Sequence, residues 1–382
     1  MALPELIEIV PLEKPVHAEI TVPGSKSITN RALILAALAK GEVTLQGALW
    51  SEDTQVMVEC LQKLGFSINV VADPDEFCNR TITVKGLGGL IPKAGTLEQP
   101  LELFVGNAGT AARFLSALVC LGNGVYRLIG VARMQQRPQA ALFKALRELG
   151  YRIDSANDML PAIIHGTGPC PGKCTVSIEE SSQFASALLL GATVGGWQVG
   201  VMGENAEESP YVTMTAKLIT AFKKRNGPFY IEPDASSGSY FWAAGWLIPI
   251  PKDSPDQRTG GISRHDLMLN YQGRIIKPKF FSVRVLHWPH SDWQIDQRFP
   301  ALLSEPPDFP GTTSRISHMG DSIMTAITIS PFAREPSKFT DLGRLRVQET
   351  ERVVALRTEL TRCGAKVEEE GDTLTVYPSN LH

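Results

Sequence analysis

The chain has 382 residues, 43% of them hydrophobic and 20% charged, which suits a packed core of two ordinary domains and excludes disorder. A net charge of −3 excludes a general nucleic-acid surface or a polybasic membrane surface. No apolar run reaches the ~20 residues of a membrane span. The first residues carry no basic segment followed by an apolar one, and the six scattered cysteines suit a reducing compartment, so a cytoplasmic protein is expected.

In chain order, His17 to Val22 alternates as a strand does. Pro23-Gly-Ser-Lys-Ser-Ile-Thr-Asn-Arg31 follows, and then Ala32 to Ala39 reads as a small, apolar helix with no polar face. A helix N-terminus offers unpaired N–H groups and a positive dipole end, so Lys26 and Arg31 there make a site for phosphate or carboxylate. The grammar recurs. Leu101 to Gly106 is a predicted strand running through Asn107-Ala-Gly-Thr110 into an Ala/Leu-rich helix carrying Arg113. Thr175 to Ile178 leads through Ser181, Ser182 and Gln183 into an apolar run to Val194. Tyr230 and Ile231 lead through Asp234-Ala-Ser-Ser237 into Tyr240 to Ile248, and His318-Met-Gly-Asp321 precedes Ser322 to Ile329. Five times a small polar turn with a good cap opens a helix that is apolar nearly all round. Such helices must be buried, and their recurrence predicts an internally repeated α/β domain.

Two arginines in Arg133-Met-Gln-Gln-Arg137-Pro138 stand before a helix predicted over Gln139 to Leu149, and arginine forks suit carboxylate and phosphate oxygens. Arg346-Val-Gln-Glu349-Thr-Glu351-Arg352 mixes two carboxylates with two arginines, which by itself reads as surface pairs on a helix. His165, Cys170 and Cys174 lie close together, but their spacing fits no common zinc pattern. Gly166 to Lys173 misses the P-loop spacing and carries two prolines where N–H donors are needed. No metal and no cofactor is expected.

Together these motifs resemble the 5-enolpyruvylshikimate-3-phosphate synthase (EPSP synthase) family. The likeness rests on Pro23 to Leu33, Leu103 to Arg113, Gly130 to Pro138, Ser181 to Phe184, Ser209-Pro-Tyr211, Asp234 to Phe241, Gly320-Asp321 and Arg346 to Arg352, in that order. It covers Thr21 to Phe241 and Met319 to Val376, with no motif between Pro249 and Trp288. The resemblance implies an α/β (α+β) fold of two similar domains of βαβαββ units, with helix N-termini aimed at the cleft between them. By analogy the first domain runs over residues 21–231 and the second collects residues 1–20 and 232–382. The implied reaction moves the enolpyruvyl group of phosphoenolpyruvate to the 5-hydroxyl of shikimate 3-phosphate and releases phosphate.

Carried over by motif, Lys26, Ser27 and Arg31 would hold shikimate 3-phosphate, with Lys26 also reaching phosphoenolpyruvate. Ser181, Ser182 and Gln183 would bind the shikimate phosphate and ring, with Ser209 and Tyr211 beside them. Gly109 and Arg133 would contact phosphoenolpyruvate, with Asn107 and Thr110 shaping the turn. Asp321 is the implied base, Glu349 the implied acid toward the methylene, and Arg352 the carboxylate clamp. Asp234 reads as a helix cap. Several positions depart from the family pattern. Gln348 stands at a usual lysine, with Arg344 nearby to compensate, and Glu208 stands at an expected phosphate-binding serine. Phe114 replaces a proline whose region tunes the phosphoenolpyruvate pocket and the response to glyphosate, the family's inhibitor. Relatives also continue past Tyr377 with further cations, so weaker phosphoenolpyruvate affinity is expected. Two other functions stand beside this one. A UDP-N-acetylglucosamine enolpyruvyl transferase would show Lys-Asn where this chain has Lys26-Ser27, and a reactive cysteine near Arg133. A non-catalytic phosphometabolite-binding homologue is the other. A monomer is expected because the cleft lies within one chain.

Overall fold

The computed structural model describes residues 8, 10, 16, 18–203, 209–247, 268–269, 275–276, 283–303, 311–348 and 350–381. In chain order the elements are β1 (Ala18–Thr21), α1 (Lys26–Leu38), β2 (Lys40–Leu49), α2 (Glu52–Lys63), β3 (Ile68–Ala72) and β4 (Asn79–Leu87). Then come β5 (Leu101–Phe104), α3 (Gly109–Cys120), β6 (Asn123–Ile129), α4 (Ala140–Glu148), β7 (Arg152–Asp154) and β8 (Ala162–Thr167). They are followed by β9 (Gly172–Ser177), α5 (Gln183–Gly195), β10 (Trp197–Met202), α6 (Pro210–Lys223), β11 (Phe229–Tyr230) and α7 (Ala235–Leu247). The remainder holds β12 (Met268–Leu269), β13 (Ile275–Ile276), β14 (Val283–Leu286), α8 (Phe299–Leu302), β15 (Thr312–Ser314) and α9 (Ile323–Ile329). The last elements are β16 (Ser337–Thr340), α10 (Arg352–Arg362), β17 (Val367–Glu370) and β18 (Thr373–Val376).

The repeat expected from sequence is visible in strand order. Three four-stranded sheets, β11-β2-β4-β3, β5-β6-β8-β7 and β15-β16-β18-β17, share one pattern. In each, the first two strands are parallel and the rest antiparallel. A parallel pair needs a crossover, and a helix supplies it between β5 and β6. The first sheet borrows its opening strand, β11, from almost two hundred residues downstream, so that stretch of chain closes on itself. Two shorter parallel pairs, β9 with β10 and β1 with β14, follow the same rule. The stretch without a recognisable motif supplies the β12–β13 pair and β14.

Helices lacking a polar face are buried, as expected. All twelve residues of α3 are buried, and its Ser116 hydroxyl satisfies itself on the Ala112 carbonyl at 2.7 Å. By contrast α4 is amphipathic and buries only Leu142, Phe143, Ala145 and Leu146, one stripe of its surface. α7 departs from expectation: Tyr240 and Phe241 are exposed although the helix reads as apolar all round. Buried apolar residues form two clusters. One runs from Ile28 to Ile231; the other contains Val22 and then Ala235 to Val376. Among the described residues the chain passes between them at two places, side by side. Ser25 N–H donates to the Glu232 carbonyl and Asp234 N–H to the Pro23 carbonyl, both at 2.9 Å.

Gly24 sits in that double crossing, and a Cβ there would stand 1.9 Å from the Gly47 carbonyl oxygen. Because that oxygen belongs to the backbone, it cannot swing away as a side chain would. Gly24→Ala is therefore expected to lower the unfolding free energy by about 1–3 kcal/mol, the usual range for overpacking. Urea titration of both proteins reads this directly, and equal midpoints and slopes would refute it.

Candidate active site

Helix N-termini from both clusters face common ground. Ser25 precedes α1, Ala108 precedes α3, Ser182 precedes α5, Asp234 precedes α7 and Glu351 precedes α10. Residues from all five of these turns line two adjoining cavities of about 800 Å³ and about 120 Å³. The smaller, more enclosed one is walled by Lys26, Ser27, Arg31, Gly109, Thr110, Ser181, Ser182, Gln183, Tyr211, Asp321, Arg344, Gln348 and Arg352, all singled out from the sequence. Lys26, Ser27, Tyr211, Asp321 and Arg352 also border the larger cavity.

Three expected residues are placed differently. Asn107 lines a side pocket with Lys26, Asp53 and Arg352, and its carbonyl accepts from Arg137 Nη1 at 2.9 Å. Ser209 caps α6 and is 1% exposed, and its hydroxyl has no partner among the described residues. Arg133 stands behind the wall: its Nη2 donates to the Gln348 carbonyl at 2.8 Å. Glu349 and Glu208 lie outside the described residues. Asp234 accepts the Ser237 N–H at 2.8 Å, the cap its position suggests, and also borders the larger cavity. Arg346, by contrast, is a fastener, holding Glu351 at 2.7 Å, Glu369 at 2.8 Å and Asp372 at 3.2 Å.

Several wall residues were not singled out as site residues in the sequence. Arg113 donates to Gln183 Oε1 at 3.0 Å and to the Pro138 carbonyl at 3.1 Å, orienting the amide that faces the cavity. The signal for it was a charge inside an otherwise apolar helix. Arg137, Arg315, Asp53 and Glu180 complete the wall. Among the described residues the small cavity meets seven cationic side chains and three carboxylates, Asp53, Glu180 and Asp321. In a chain of net charge −3 that local excess selects for polyanions. A Cβ at Gly109 would stand 2.3 Å from Arg113 Nη1 and 2.5 Å from Arg137 Nη2, so a side chain there would displace the ends of both arginines.

Arg31 is 2% exposed and donates to Thr215 Oγ1 at 2.8 Å, the Ser27 carbonyl at 2.9 Å and Ser186 Oγ at 3.1 Å. Its guanidinium lies 5.3 Å from the Phe114 ring centroid, so the phenylalanine that departs from the family pattern serves as its platform. Burial lowers its pKa to about 10, leaving it charged at neutral pH. Asp321 pairs with Arg315 at 2.5 Å. Enclosure pushes the Asp321 carboxyl up, but Arg315, helped by Arg352 and Lys26, outweighs this and holds it below the usual range. Burial drives the Tyr211 hydroxyl well up, and the charges of Asp321 and Asp296 add to that. Lys26 meets Asp53 at 3.2 Å. Among the described residues no group of three His, Cys, Asp or Glu side chains could hold a metal ion.

Repeated α/β units, helix termini converging from two cores, and a carboxylate among an excess of cations suit a transferase that handles anionic substrates. The chain belongs to the EPSP synthase (3-phosphoshikimate 1-carboxyvinyltransferase) family, whose model matches residues 10–382. A 3-phosphoshikimate 1-carboxyvinyltransferase of Trichormus variabilis is 34% identical, covering 99% of this chain and 88% of that protein. That of Opitutus terrae is 33% identical, covering 100% and 85%. Among solved structures, EPSP synthase from Acinetobacter baumannii superposes with a TM-score of 0.61 at 20% identity, over 97% of this chain and 83% of that one. The enolpyruvyl transferase NikO from Streptomyces tendae gives 0.55 at 14% identity, over 97% and 84%. These last two likenesses speak to fold, and they agree with the expected α/β architecture.

Replacing Arg31 by Ala would take one donor from each of Thr215 and Ser186, which keep each other and the Tyr211 carbonyl as partners, and empty a buried volume. A loss of about 2–4 kcal/mol is expected, within the range for removing one member of a buried hydrogen-bonded network. Chemical denaturation measures it, and a loss below 1 kcal/mol would contradict the network role.

Proposed function

We propose that this protein transfers the enolpyruvyl group of phosphoenolpyruvate to the 5-hydroxyl of shikimate 3-phosphate. The observation that carries the reading is that Lys26 from α1, Asp321 from before α9 and Arg352 from α10 border the same cavity, among an excess of cations. In this reading residues 21–231 form one domain and residues 1–20 with 232–382 the other. The double crossing at Gly24 and Pro233 acts as the hinge. The enzyme works as a cytoplasmic monomer.

Ser181, Ser182, Gln183, Ser209 and Tyr211 receive shikimate 3-phosphate, with Arg31 supplying fixed positive charge beneath it. The unpartnered Ser209 hydroxyl at a helix N-terminus suits a phosphate oxygen. Lys26, Gly109, Arg344, Gln348 and Arg352 surround phosphoenolpyruvate, with Arg133 supporting Gln348 from behind and Asn107 and Thr110 holding the turn. Asp321 accepts the proton of the 5-hydroxyl as its oxygen bonds to the phosphate-bearing carbon. A proton goes to the methylene carbon, with Glu349 as its donor. The resulting tetrahedral ketal loses a proton from the new methyl group as the C–O bond to phosphate breaks, restoring the double bond. Cations stabilise the charge that moves onto the departing phosphate. Glyphosate, a small phosphonate, competes for the phosphoenolpyruvate cations.

Phosphate release should require both phosphoenolpyruvate and shikimate 3-phosphate. Release with UDP-N-acetylglucosamine instead, or with neither acceptor, would overturn the assignment. Asp321→Asn is expected to lower kcat by about 10²–10⁴-fold, the usual contribution of a positioned base, with small changes in KM. Arg315→Gln removes the charge that depresses the Asp321 carboxyl, so its pKa rises and the acid limb of kcat moves to higher pH. A limb that stays in place, followed by continuous phosphate assay from pH 4 to 9, would contradict the pairing.

A further inference from the structure

Asp296 is 3% exposed, on the turn Ile295–Arg298, and the reaction outlined above does not use it. Its Oδ1 accepts the backbone N–H of Ser322, the residue after Asp321, at 2.6 Å. Gly320, on the other side of Asp321, adopts φ 59°, and a Cβ there would stand 2.6 Å from Asp296 Oδ2. The carboxyl is thus packed against the backbone on both sides of Asp321. It also borders the larger cavity with Asp234, Asp321, Lys26 and Arg352. We propose that Asp296 is a positioning residue for proton transfer at Asp321: it clamps the turn that presents Asp321, and its charge sets how strongly Asp321 draws a proton.

An ion pair with Arg315 keeps Asp321 ionised but makes it a weak base, which is a poor match for taking a proton from an alcohol. A second carboxylate close by works in the opposite direction. The groups facing Asp296 are Asp321 and Arg315 from the turns before α9, Asp234 from the start of α7 and Tyr211 from α6. His318, on the same stretch as Arg315, has its Nδ1 occupied by the Ser314 N–H. Lys26 and Arg352 stand across the cavity. Burial first, and then the charges of Asp321 and Asp234, push the Asp296 carboxyl up to about 7. Below that pH Asp296 holds a proton and Asp321 is governed by Arg315. Above it the added negative charge makes Asp321 more basic, so kcat should rise through neutrality.

Asp296→Asn tests this, because the amide oxygen still accepts the Ser322 N–H while the charge is gone. The role rests on the enolpyruvyl-transfer reading, so kcat and KM are measured with phosphoenolpyruvate and shikimate 3-phosphate from pH 5 to 9. Asp296→Asn should lose the rise in kcat near pH 7 and fall about tenfold at pH 8, the equivalent of one pKa unit at Asp321, with KM changed less than about threefold. Asp296→Ala, which also loses the clamp, should fall further. A second readout is independent of turnover. A raised carboxyl pKa stabilises the fold at low pH and stops doing so as pH climbs through it. The wild-type Tm should therefore decline relative to Asp296→Asn between about pH 4 and pH 7 and then run parallel. An unchanged kcat profile in Asp296→Asn, or parallel Tm curves throughout, would overturn the proposal. A wild type that releases no phosphate would overturn the functional reading and this role with it, while the Tm series would still report the Asp296 proton.

Discussion

Positive charge crowded into one cleft is the constraint on which the rest of the structure turns. Like charges repel, and water is scarce where Arg31 lies, so such an arrangement survives only if each cation is held by something else. Arg31 and Arg344 lean on neutral oxygens: Thr215, Ser186 and the Ser27 carbonyl for one, the Glu179 carbonyl at 3.2 Å for the other. Dipoles fix the geometry without cancelling the charge, so the cleft keeps a positive field for a phosphorylated guest. Arg346 shows the alternative. Matched by three carboxylates, its charge is spent on fastening α10 to the β17–β18 turn, and it contributes little field to the cavity.

The same economy explains how two separate cores meet. Arg133, in the stretch between β6 and α4, reaches the Gln348 carbonyl just before α10, and Arg344 reaches back to the Glu179 carbonyl after β9. Both bonds run between segments that belong to different cores, and both use side chains bordering or backing the small cavity. The cleft is thereby closed by the very groups that give it its charge. Among the described residues the covalent link is the paired crossing at Pro23–Ser25 and Glu232–Asp234, where Gly24 leaves no room for a side chain.

Within that field the carboxylates divide the work. Asp53 meets Lys26, and Asp321 is held by Arg315. Asp296 is buried behind the backbone of Asp321 and is pushed up to about 7, whereas Asp321 is held below the usual range. Environments that drive neighbouring carboxyls apart allow one to be ionised while another still holds a proton.

Local pattern alone determined much of this protein. Polar turns opening apolar helices predicted buried helices with polar N-termini, and α1, α3 and α5 are such helices. The residues in those turns, Lys26, Ser27, Gly109, Thr110, Ser181, Ser182 and Gln183, meet at one cavity, because a helix start is written in the few residues that form it. Tertiary structure decided what pairs at long range. Nothing local marks Phe114 as the platform for Arg31, or β11 as the opening strand of a sheet begun at residue 40. Asp296 was invisible for the same reason. Its role depends on packing against the Gly320–Ser322 backbone, 26 residues away in the chain. Helix starts follow from short-range chemistry, but the strength of a base depends on which charges the fold brings beside it.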